Sequence, residues 1–530
     1  MLRILLIALL FGLSNLAVSQ AFPFDIKLEA VTISGLPGLQ SYSYGQHDGK
    51  CLVVGGRTDG LHRRQPSVAF DLAGHNTQLI VIDPVSKQFW STSMSSLSTN
   101  LQEQLRATNA QFIQDGDYLY IFGGYGYSAA FGDHKTFEYL TIIDVAGLIG
   151  AIINGNSITP YFTQLSDTNF AVTGGQLVKV YDKLYLVGGQ KFTGRYNPMG
   201  GPSFTQAYTN QVRIMKIVNN GGSFTVTHFP YLTDSAHLHR RDFNAAPQIM
   251  PNGQQGVTSF SGVFQVNMDV PYLYCSDIDT NGLNARLNFS QYYNHYECPM
   301  LPAYNASVNT MSTVFFGGIS QYFDDNGQLT MDNNVPFVNT IARVSRDANG
   351  NLAEYKLPVV MPGLLGASAH LIHDEKLAYY SNGVLILDSL TKDTNLVGYI
   401  YGGISSTAPN IFFTNTGTQS SASANIYKVY LIKNPNASID QENPQSKSSL
   451  QLQLYPNPND GVFKIAFNLQ NNTTYFIRIY DMNGRLIMKK SAMGTAGQNI
   501  VAVDLKQKRG VFMVKFSAEG IHQNQKVILR

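Results

Sequence analysis

The sequence predicts an all-β protein in which a six-bladed β-propeller is followed by a small C-terminal β-sandwich. The first of three observations is the composition: 30 tyrosines, 30 phenylalanines and 47 glycines, with only 14% charged residues, favour strands and tight turns over helices. The second is an apolar phrase ending in two glycines, which recurs along the chain. The third is a separate series of short strands over residues 450–530. A chain of 530 residues also exceeds one ordinary core, so several domains or one large repeat fold are expected.

Residues 1–19 predict a secretory signal peptide. A positive residue, Arg3, precedes the apolar run ILLIALLFGL, and small residues follow at Ala17 and Ser19. This order is typical of a signal peptide rather than a membrane anchor, and we expect cleavage after Ser19. No later stretch approaches the roughly 20 apolar residues of a membrane helix, so the mature chain is expected to lack a transmembrane segment and to be soluble outside the inner membrane.

Charge and cysteine content exclude two classes of protein. The net charge is +2, residues 450–530 hold 11 Lys and Arg against 4 Asp and Glu, and no basic run is interleaved with aromatics, so a nucleic-acid partner is not expected. A disulfide scaffold is unnecessary in so long a chain. Cys275 and Cys298 flank a candidate hairpin and could pair; the other interpretation is that they and Cys51 are small buried hydrophobic side chains.

An internal repeat organises residues 20–433. Five copies of the phrase end in two glycines, and in a sixth copy Ser261 replaces the first glycine: CLVVGG at 51–56, LYIFGG at 119–124, LYLVGG at 184–189, VTSFSG at 257–262, TVFFGG at 313–318 and GYIYGG at 398–403. The apolar run indicates a strand buried on both faces. The glycines indicate positive φ or a close backbone contact.

Signals around each copy complete a four-stranded antiparallel unit. Tight-turn sequences such as HDGK at 47–50 and QDGD at 114–117 precede the phrase, and further strands such as 78–90 follow it. Six such units are best buried by radial stacking into a propeller. The segment Phe24 to Ser34 is predicted to be the outer strand of the last blade, next to residues 426–433, which would tie the two ends together. A seventh, degenerate blade is the open alternative.

These glycine pairs resemble the kelch-repeat family, whose blades combine an apolar strand, a double glycine, a tyrosine and a tryptophan. The resemblance covers about residues 21–433, but only the first unit keeps the tryptophan, Trp90, which is the only one in the chain. The units are longer than the roughly 50 residues of a kelch repeat, so long loops are expected to decorate the frame. Kelch propellers include copper oxidases with a cysteine-crosslinked tyrosine, but although Cys275 follows Tyr274, the metal ligands of that site have no match here.

A polar segment, residues 434–449, is predicted to be a linker, and residues 450–530 a separate sandwich. About seven short strands alternate with turns, one of them at Asn483-Gly484, the pair that a type I′ hairpin requires. The motifs YPNPNDG, IYDMNGRLI, VDL, GVFMVKF and KVILR resemble the type A C-terminal sorting domain of proteins exported by the type IX secretion system. The matching motif positions are Pro456, Asn457, Pro458, Gly461, Asn483, Gly484, Gly510, Lys526 and Arg530. The resemblance implies that the signal peptide takes the chain to the periplasm, that the type IX machinery is a partner, and that the protein is secreted or held at the outer-membrane cell surface.

Two copies of LHRR, at 61–64 and 238–241, supply the candidate ligand-binding residues. They could bring four guanidinium groups to one face of the ring, where they would bind a carboxylate of an acidic sugar or a peptide: Arg63, Arg64, Arg240 and Arg241. The alternative is that one arginine of each copy pairs with an acid such as Asp242 and joins neighbouring blades.

No metal or cofactor is predicted. His237 and His239 would lie on one side of a strand, but no third ligand lies near them in sequence. Residues 277–288 resemble the first half of a calcium loop, yet position twelve is Asn288 rather than glutamate, so a hairpin turn explains them better. The sequence therefore favours a secreted or cell-surface protein that binds a glycan or a protein and is not an enzyme. An extracellular sugar oxidase or epimerase on the same frame is the alternative.

Overall fold

A computed structural model describes residues 22–201, 203–434, 452–469, 471–481, 484–518 and 521–530. The predicted signal peptide lies outside the described residues, as do all positions of the predicted linker except Asn434. Strands dominate both parts of the described chain, which confirms the all-β class. No helix among the described residues combines the length and the hydropathy needed to cross a membrane.

Residues 22–434 contain six successive antiparallel sheets, numbered here by the order of their first strands. Sheet 1 contains Ser43–His47, Lys50–Val54, Gln78–Asp83 and Gln88–Ser93. Sheet 2 contains Gln111–Asp115, Tyr118–Phe122, Tyr139–Asp144 and Phe162–Ser166. Sheet 3 contains Gln176–Val180, Lys183–Val187, Gln211–Asn220 and Ser223–His228, with Leu232–Thr233 added beside the third strand.

The other three sheets follow the same plan. Sheet 4 contains Asn244–Ile249, Gln255–Phe260, Ser276–Asp279 and Gly282–Ala285. Sheet 5 contains Met300–Asn305, Thr310–Ile319, Phe337–Arg346 and Leu352–Val360, with Leu385–Ile386 parallel to its first strand. Sheet 6 contains Ala369–His373, Thr394–Gly402, Ile426–Lys433 and Phe24–Val31.

The outermost strand of sheet 6 comes from the start of the described chain. Phe24–Val31 pairs antiparallel with Ile426–Lys433, from Phe24 opposite Lys433 to Val31 opposite Ile426. This register confirms the predicted pairing of the two segments. Because residues some 400 positions apart share one ladder, the ends of the domain are joined without a covalent link.

The first strands of successive sheets lie side by side, which gives the domain its propeller-like arrangement. Side chains join neighbouring sheets. Between sheets 1 and 2, the Gln114 side chain accepts from the backbone amide of Gln46 at 2.6 Å, and between sheets 2 and 3, Lys179 pairs with Asp115 at 2.5 Å. Between sheets 4 and 5, the Gln248 side chain donates to the Thr313 hydroxyl at 3.1 Å. Sheet 1 also meets sheet 6, because the Tyr44 hydroxyl donates to the carbonyl of Leu371 at 2.9 Å.

The double glycines mark the contacts between sheets. The first glycine of each pair abuts a backbone carbonyl of the chain that leads into the next sheet, so an added Cβ would collide with it; these carbonyls belong to Leu105, Val172, Arg240, Leu365 and Leu39. Both glycines of each pair have positive φ. In the sixth copy Ser261 adopts a φ of 45°, and its buried hydroxyl donates to the carbonyl of Tyr272 at 2.7 Å. The phrase therefore recurs because each sheet needs a close backbone contact at its edge.

Insertions follow the glycine pairs, and these inserted segments are here called the crown; some of them form additional small sheets. One has four strands, Tyr125–Ser128, Asp133–Thr136, Gln190–Thr193 and Thr205–Tyr208. Two have two strands each, Tyr322–Asp325 with Gln328–Met331 and Ile404–Ser406 with Ser420–Ala422. The α-helices of the described chain are Thr99–Leu105 and Val145–Asn154, and the 3-10 helices are Leu72–Gly74, Met94–Ser96, Thr159–Tyr161, Thr168–Phe170 and Leu387–Ser389. The crown accounts for much of the extra length of the units.

Cys51, Cys275 and Cys298 are free thiols, and all three are buried. Cys275 and Cys298 belong to one apolar cluster with Ala246 and Phe260. The alternative in which Cys275 pairs with Cys298 is therefore not the one observed, and the cysteines serve as small core side chains.

The C-terminal region is a sandwich of two sheets. The smaller sheet contains Gln453–Tyr455, Val462–Leu469 and Gly497–Asp504, and the larger contains Leu486–Gly494, Thr473–Asp481, Gly510–Ala518 and Ile521–Leu529. Alternate residues of both sheets form one apolar core, which includes Phe463, Ile477 and Phe516. This arrangement matches the predicted series of short strands.

The proline motif of the sandwich is tied to its last strand. Asn457 donates to the carbonyl of Lys526 at 2.8 Å and accepts from the amide of Ile528 at 2.9 Å. Gly461 has a φ of 94° and lies against the backbone of Lys506, where a side chain would collide. The residues of the motif thus hold the first turn and the end of the chain together.

Candidate functional site

Six residues that lie just before the first strands of the six sheets surround one end of the axis. This set, the mouth ring, consists of Ser41, Asn109, Gly174, Asp242, Glu297 and Ser368. Five main-chain hydrogen bonds of 2.8 to 3.2 Å join successive members around the axis. In each, the amide of one residue donates to the carbonyl of the preceding one: Gly174 to Asn109, Asp242 to Gly174, Glu297 to Asp242, Ser368 to Glu297 and Ser41 to Ser368. A polar ring of fixed backbone therefore narrows the axis at the end that carries the crown.

Asp242 and Arg241 bring opposite charges to the mouth ring. Their side chains form an ion pair and are largely buried. The Asp242 carboxylate also accepts a hydrogen bond of 3.3 Å from the side-chain Nδ2 of Asn109, which precedes sheet 2, whereas Asp242 precedes sheet 4. This reach depends on Gly174, because a Cβ at that position would collide with the Asp242 carboxylate. The carboxylate is consequently held across the ring.

Arg241 is fixed by aromatic side chains of the crown. Its Nε donates to the Tyr208 hydroxyl at 3.0 Å, and its guanidinium lies 5.0 Å from the ring centre of Phe264. Tyr208 in turn stacks on His239 with 3.7 Å between ring centres. Aromatic faces and a guanidinium in one place can receive a planar anion or the apolar face of a sugar.

Glu297 carries the most unusual carboxyl group of the mouth ring. Burial, and then the negative charge of Asp242, raise the pKa of Glu297 to about 7, while a hydrogen bond with Gln176 acts in the opposite direction. A carboxyl with a pKa near 7 can hold or release a proton at neutral pH. Glu297 also lines the cavity behind the ring.

The axis of the domain holds a cavity of about 550 Å³, lined by residues of all six first strands. Its wall is rich in amides and charged groups, among them Gln111, Gln176, Lys179, Glu297 and Asn382. At the end away from the crown, the segment after the first strand of sheet 6 crosses to sheet 4, where Ser381 accepts from Gln255 at 2.8 Å and Asn382 donates to the carbonyl of Gln248 at 3.2 Å.

Two amide oxygens on the cavity wall are left unsatisfied. The Oε1 atom of Gln111 and the Oδ1 atom of Asn382 are buried and have no hydrogen-bond partner among the described residues. Buried polar atoms are normally paired, so these two oxygens are exceptions in the wall of the cavity. Together with Gln176, Gln111 and Asn382 give the wall of the cavity its amide groups.

The four arginines predicted to bind a ligand differ in burial and in their hydrogen-bond partners. Arg241 lies beside the mouth ring, but Arg240 is fully buried between the rings of Tyr272 and Tyr274, where it donates to the carbonyl groups of His237, Ser261 and Tyr274. Arg240 therefore cannot meet a ligand, and its place in the predicted set is corrected to a structural one. The reason is that Arg240 has no exposed surface and that its Nε and Nη1 atoms donate to backbone carbonyls beneath the crown.

Arg63 and Arg64 lie in the crown. Arg63 is 3.6 Å from Asp71, and the guanidinium of Arg64 lies 4.7 Å from the ring centre of the exposed Phe413. Burial lowers the pKa of His62 to about 4. A hydrogen bond with the Arg63 carbonyl opposes this shift, and the charges of Arg64, Arg57 and Arg241 add smaller contributions in the direction of burial. The two LHRR copies thus approach one region, although Arg63 and Arg241 each have an acidic partner.

The histidines and the loop that were weighed and rejected as metal ligands make other contacts. His237 bonds the Tyr274 hydroxyl at 2.8 Å, whereas His239 donates to Asn210 at 3.0 Å. Asp277 belongs to a hairpin of sheet 4 and pairs with Arg346, which supports the hairpin interpretation of residues 277–288. Over the residues that the structure covers, no group of three His, Cys, Asp or Glu side chains could hold a metal ion.

Sequence reasoning missed Glu297, Asn109 and Gln111. A single signal could have located the first two: each lies at the same place in its unit, just before the first strand, as does Asp242. The cavity-facing amides of Gln111 and Asn382 carry no such signal, because glutamine and asparagine are equally common in surface turns.

Replacing Glu297 with glutamine is expected to change how stability depends on pH. The raised pKa means that the folded protein keeps a proton between pH 4.5, the ordinary value, and about 7, where the unfolded chain has released it. The contribution of Glu297 is therefore full below pH 4.5 and is lost as the pH rises through about 7, by at most about 1.4 kcal/mol per pH unit. Urea unfolding of both proteins at several pH values measures the difference.

Gln176→Leu provides the second arm of that experiment. Without the hydrogen bond that opposes the shift, the pKa of Glu297 rises further. The stability contribution of Glu297 is then lost at a higher pH than in wild type. Parallel curves for wild type and Glu297→Gln between pH 4.5 and 7 would contradict the assignment.

Comparison with known proteins identifies the C-terminal sandwich. Residues 453–530 match the family described as "Secretion system C-terminal sorting domain". This match confirms the predicted sorting domain and implies secretion or cell-surface localisation through the type IX system. The positions assigned to its motif retain their proposed role, except that Asn483 lies outside the described residues.

The propeller-like domain is less closely related to known proteins. No curated protein matches the chain. Similar solved structures include "Structure of YjhT", with 11% identity and a TM-score of 0.39 over 76% of this chain and 99% of that one. A structure named "Glycoside hydrolase" has 9% identity and a TM-score of 0.28 over 94% of this chain and 96% of that one.

Proposed function

We propose that this protein is secreted or displayed at the cell surface and binds a glycan or protein ligand, with a hydroxyl-rich glycan fitting best. The observation that carries the proposal is the polar axial cavity, whose wall includes the amide side chains of Gln111, Gln176 and Asn382 and the charged groups of Lys179 and Glu297. Its volume of about 550 Å³ lies within the range of roughly 300–1,000 Å³ found for ligand sites. Sugar hydroxyls both donate and accept hydrogen bonds, and so they match a wall made of amide and charged groups.

The proposal includes a six-bladed, kelch-like propeller over residues 20–433. The six positions of the mouth ring and the hydrogen bonds between them support six blades rather than seven. The aromatic side chains and Arg241 at the ring would form the rim of the binding site, where a glycan or a protein chain first meets the domain.

Binding can be tested with a glycan array, using the purified full-length protein together with a Gln111→Leu variant. The variant loses one amide acceptor at the cavity, so its affinity for the ligand found is expected to fall about 2- to 10-fold. Gln88→Leu, on the exposed outer strand of sheet 1, is the matched control and should bind like wild type. A ligand that both variants bind equally well would exclude the cavity as its site.

A second candidate function is an enzyme that acts on sugars. The observation that favours it is Glu297, whose pKa of about 7 suits a general acid or base at the cavity. In that case Glu297→Gln would abolish turnover of the sugar while leaving its binding within about 3-fold. Turnover by wild type, or stoichiometric copper in a metal analysis, would reject a purely binding role.

The sorting motif is proposed to act as the export address. Of its positions, Asn457 holds the last strand through its side chain, while Pro456, Pro458, Gly461, Gly484 and Gly510 shape turns, and Lys526 and Arg530 present positive charge near the C-terminus. The type IX machinery would recognise this folded end of the chain.

A further inference from the structure

The outer face of the larger sheet in the sorting domain carries a row of positive charges. Arg478 lies on a central strand directly opposite Lys489 on one side and Lys515 on the other. All three are on the face turned away from the core, since their neighbours Ile477 and Ile479 are buried in it. Strands lie about 4.8 Å apart, so this cationic row spans roughly 10 Å.

No carboxylate balances the cationic row among the described residues of this face. Lys526, opposite Met513, adds a fourth positive charge one step away. None of the four forms an ion pair with a described residue, and Lys515 instead lies 5.3 Å from the ring centre of Tyr480. The outer face of the smaller sheet differs, because it carries a carboxylate: Asp504 lies opposite Val462 and pairs with Lys506 at 3.4 Å.

Like charges directly opposite on neighbouring strands destabilise a sheet. The cationic row therefore costs stability unless an outside anion balances it. Exposed apolar side chains lie on the same face. Phe476, with 38% of its surface exposed, lies two residues before Arg478 on the same strand, and Met493, with 71% exposed, lies on the neighbouring edge strand. Positive charges beside exposed aromatic and aliphatic groups are typical of surfaces that meet the headgroups of a membrane.

We propose that this face docks the sorting domain on an anionic lipid surface. Arg478, Lys489 and Lys515 contact the lipid phosphates, and Phe476 and Met493 enter the boundary between headgroups and acyl chains. All five side chains belong to one face of the same sheet. This docking would hold the folded tail at the membrane and is separate from ligand binding by the propeller-like domain.

Sedimentation of the full-length protein with vesicles tests the proposal. Wild type is expected to bind phosphatidylcholine vesicles that contain about 30% phosphatidylglycerol, and not pure phosphatidylcholine. The triple variant Arg478→Gln, Lys489→Gln and Lys515→Gln should bind the anionic vesicles about 100-fold more weakly, as expected for three basic residues near an anionic surface. Raising the salt concentration to about 0.5 M should weaken wild-type binding strongly, which tests the charge effect without any variant.

Matched variants separate the row from overall charge. Lys464→Gln, Lys506→Gln and Lys508→Gln remove three charges elsewhere in the same domain, and this protein should bind within about 3-fold of wild type, as should Arg478→Lys with Lys489→Arg and Lys515→Arg. Equal loss in the control triple, or no binding of wild type to anionic vesicles, would overturn the proposal. Loss of export without any vesicle binding would overturn it in favour of an acidic protein surface.

Discussion

Replacing Asp277 with alanine is expected to destabilise the propeller-like domain by about 3–5 kcal/mol. Asp277 of sheet 4 accepts two hydrogen bonds, of 2.8 and 2.5 Å, from Arg346 of sheet 5, and a third, of 2.7 Å, from Thr258. Only 2% of the Arg346 side chain is exposed. The substitution would leave a guanidinium buried between two sheets without a counter-ion, and this accounts for most of the loss. Urea unfolding followed by tyrosine fluorescence measures it.

A double variant distinguishes the buried charge from lost packing. Asp277→Leu combined with Arg346→Met removes both charges and keeps apolar volume, so it should be considerably more stable than Asp277→Ala. If Asp277→Ala costs less than about 1 kcal/mol, or if the double variant is the less stable of the two, the ion pair does not join the sheets as described.

The frame was predictable from sequence because its signals are local. The strand before each glycine pair is apolar throughout, and the glycines stand where backbone from the next sheet passes, so one short phrase reports both burial and contact. The pairing of Phe24–Val31 with Ile426–Lys433 followed from alternation and from the need to close a sheet. The crown was expected only as long loops, since its short strands have no period that the sequence could display.

The site was harder to predict because it depends on contacts between distant residues. Arg240 and Arg241 are adjacent and chemically identical, yet one lies under the crown between Tyr272 and Tyr274 and the other beside the mouth ring. Nothing in the motif LHRR distinguishes them. Likewise, the raised pKa of Glu297 arises from burial and from Asp242, which is far away in sequence, so no local pattern reveals it.

The sorting domain was predicted more completely than the propeller-like domain. Its turns use residues with narrow conformational roles, such as Pro456, Gly461 and Gly484, so the motif and the geometry coincide. The cationic row was visible only as an excess of 11 basic over 4 acidic residues in 450–530. The register of the strands was needed to show that three of these charges face one another.

Deleting residues 450–530 is expected to abolish export of the protein. The deletion removes the whole sandwich, including both of its sheets, and leaves the strand ladder that closes sheet 6 intact, because that ladder ends at Lys433. A folded propeller-like domain without its export address should accumulate in the periplasm. Fractionation of cells and medium, followed by immunoblotting, measures where the protein lies.

A smaller change isolates recognition from the loss of a domain. Asn457→Ala removes the side chain that donates to the carbonyl of Lys526 and accepts from the amide of Ile528, and so releases the first turn from the last strand. It should reduce export while the protein stays intact in the cell, whereas Gln88→Leu on sheet 1 should be exported normally. Undiminished appearance of the 450–530 deletion in the medium would refute the sorting role. The third possible outcome is that the deletion protein stays in the periplasm while Asn457→Ala is exported normally. The export signal would then lie in other parts of the sandwich, and the hydrogen bonds of Asn457 to the last strand would serve stability alone.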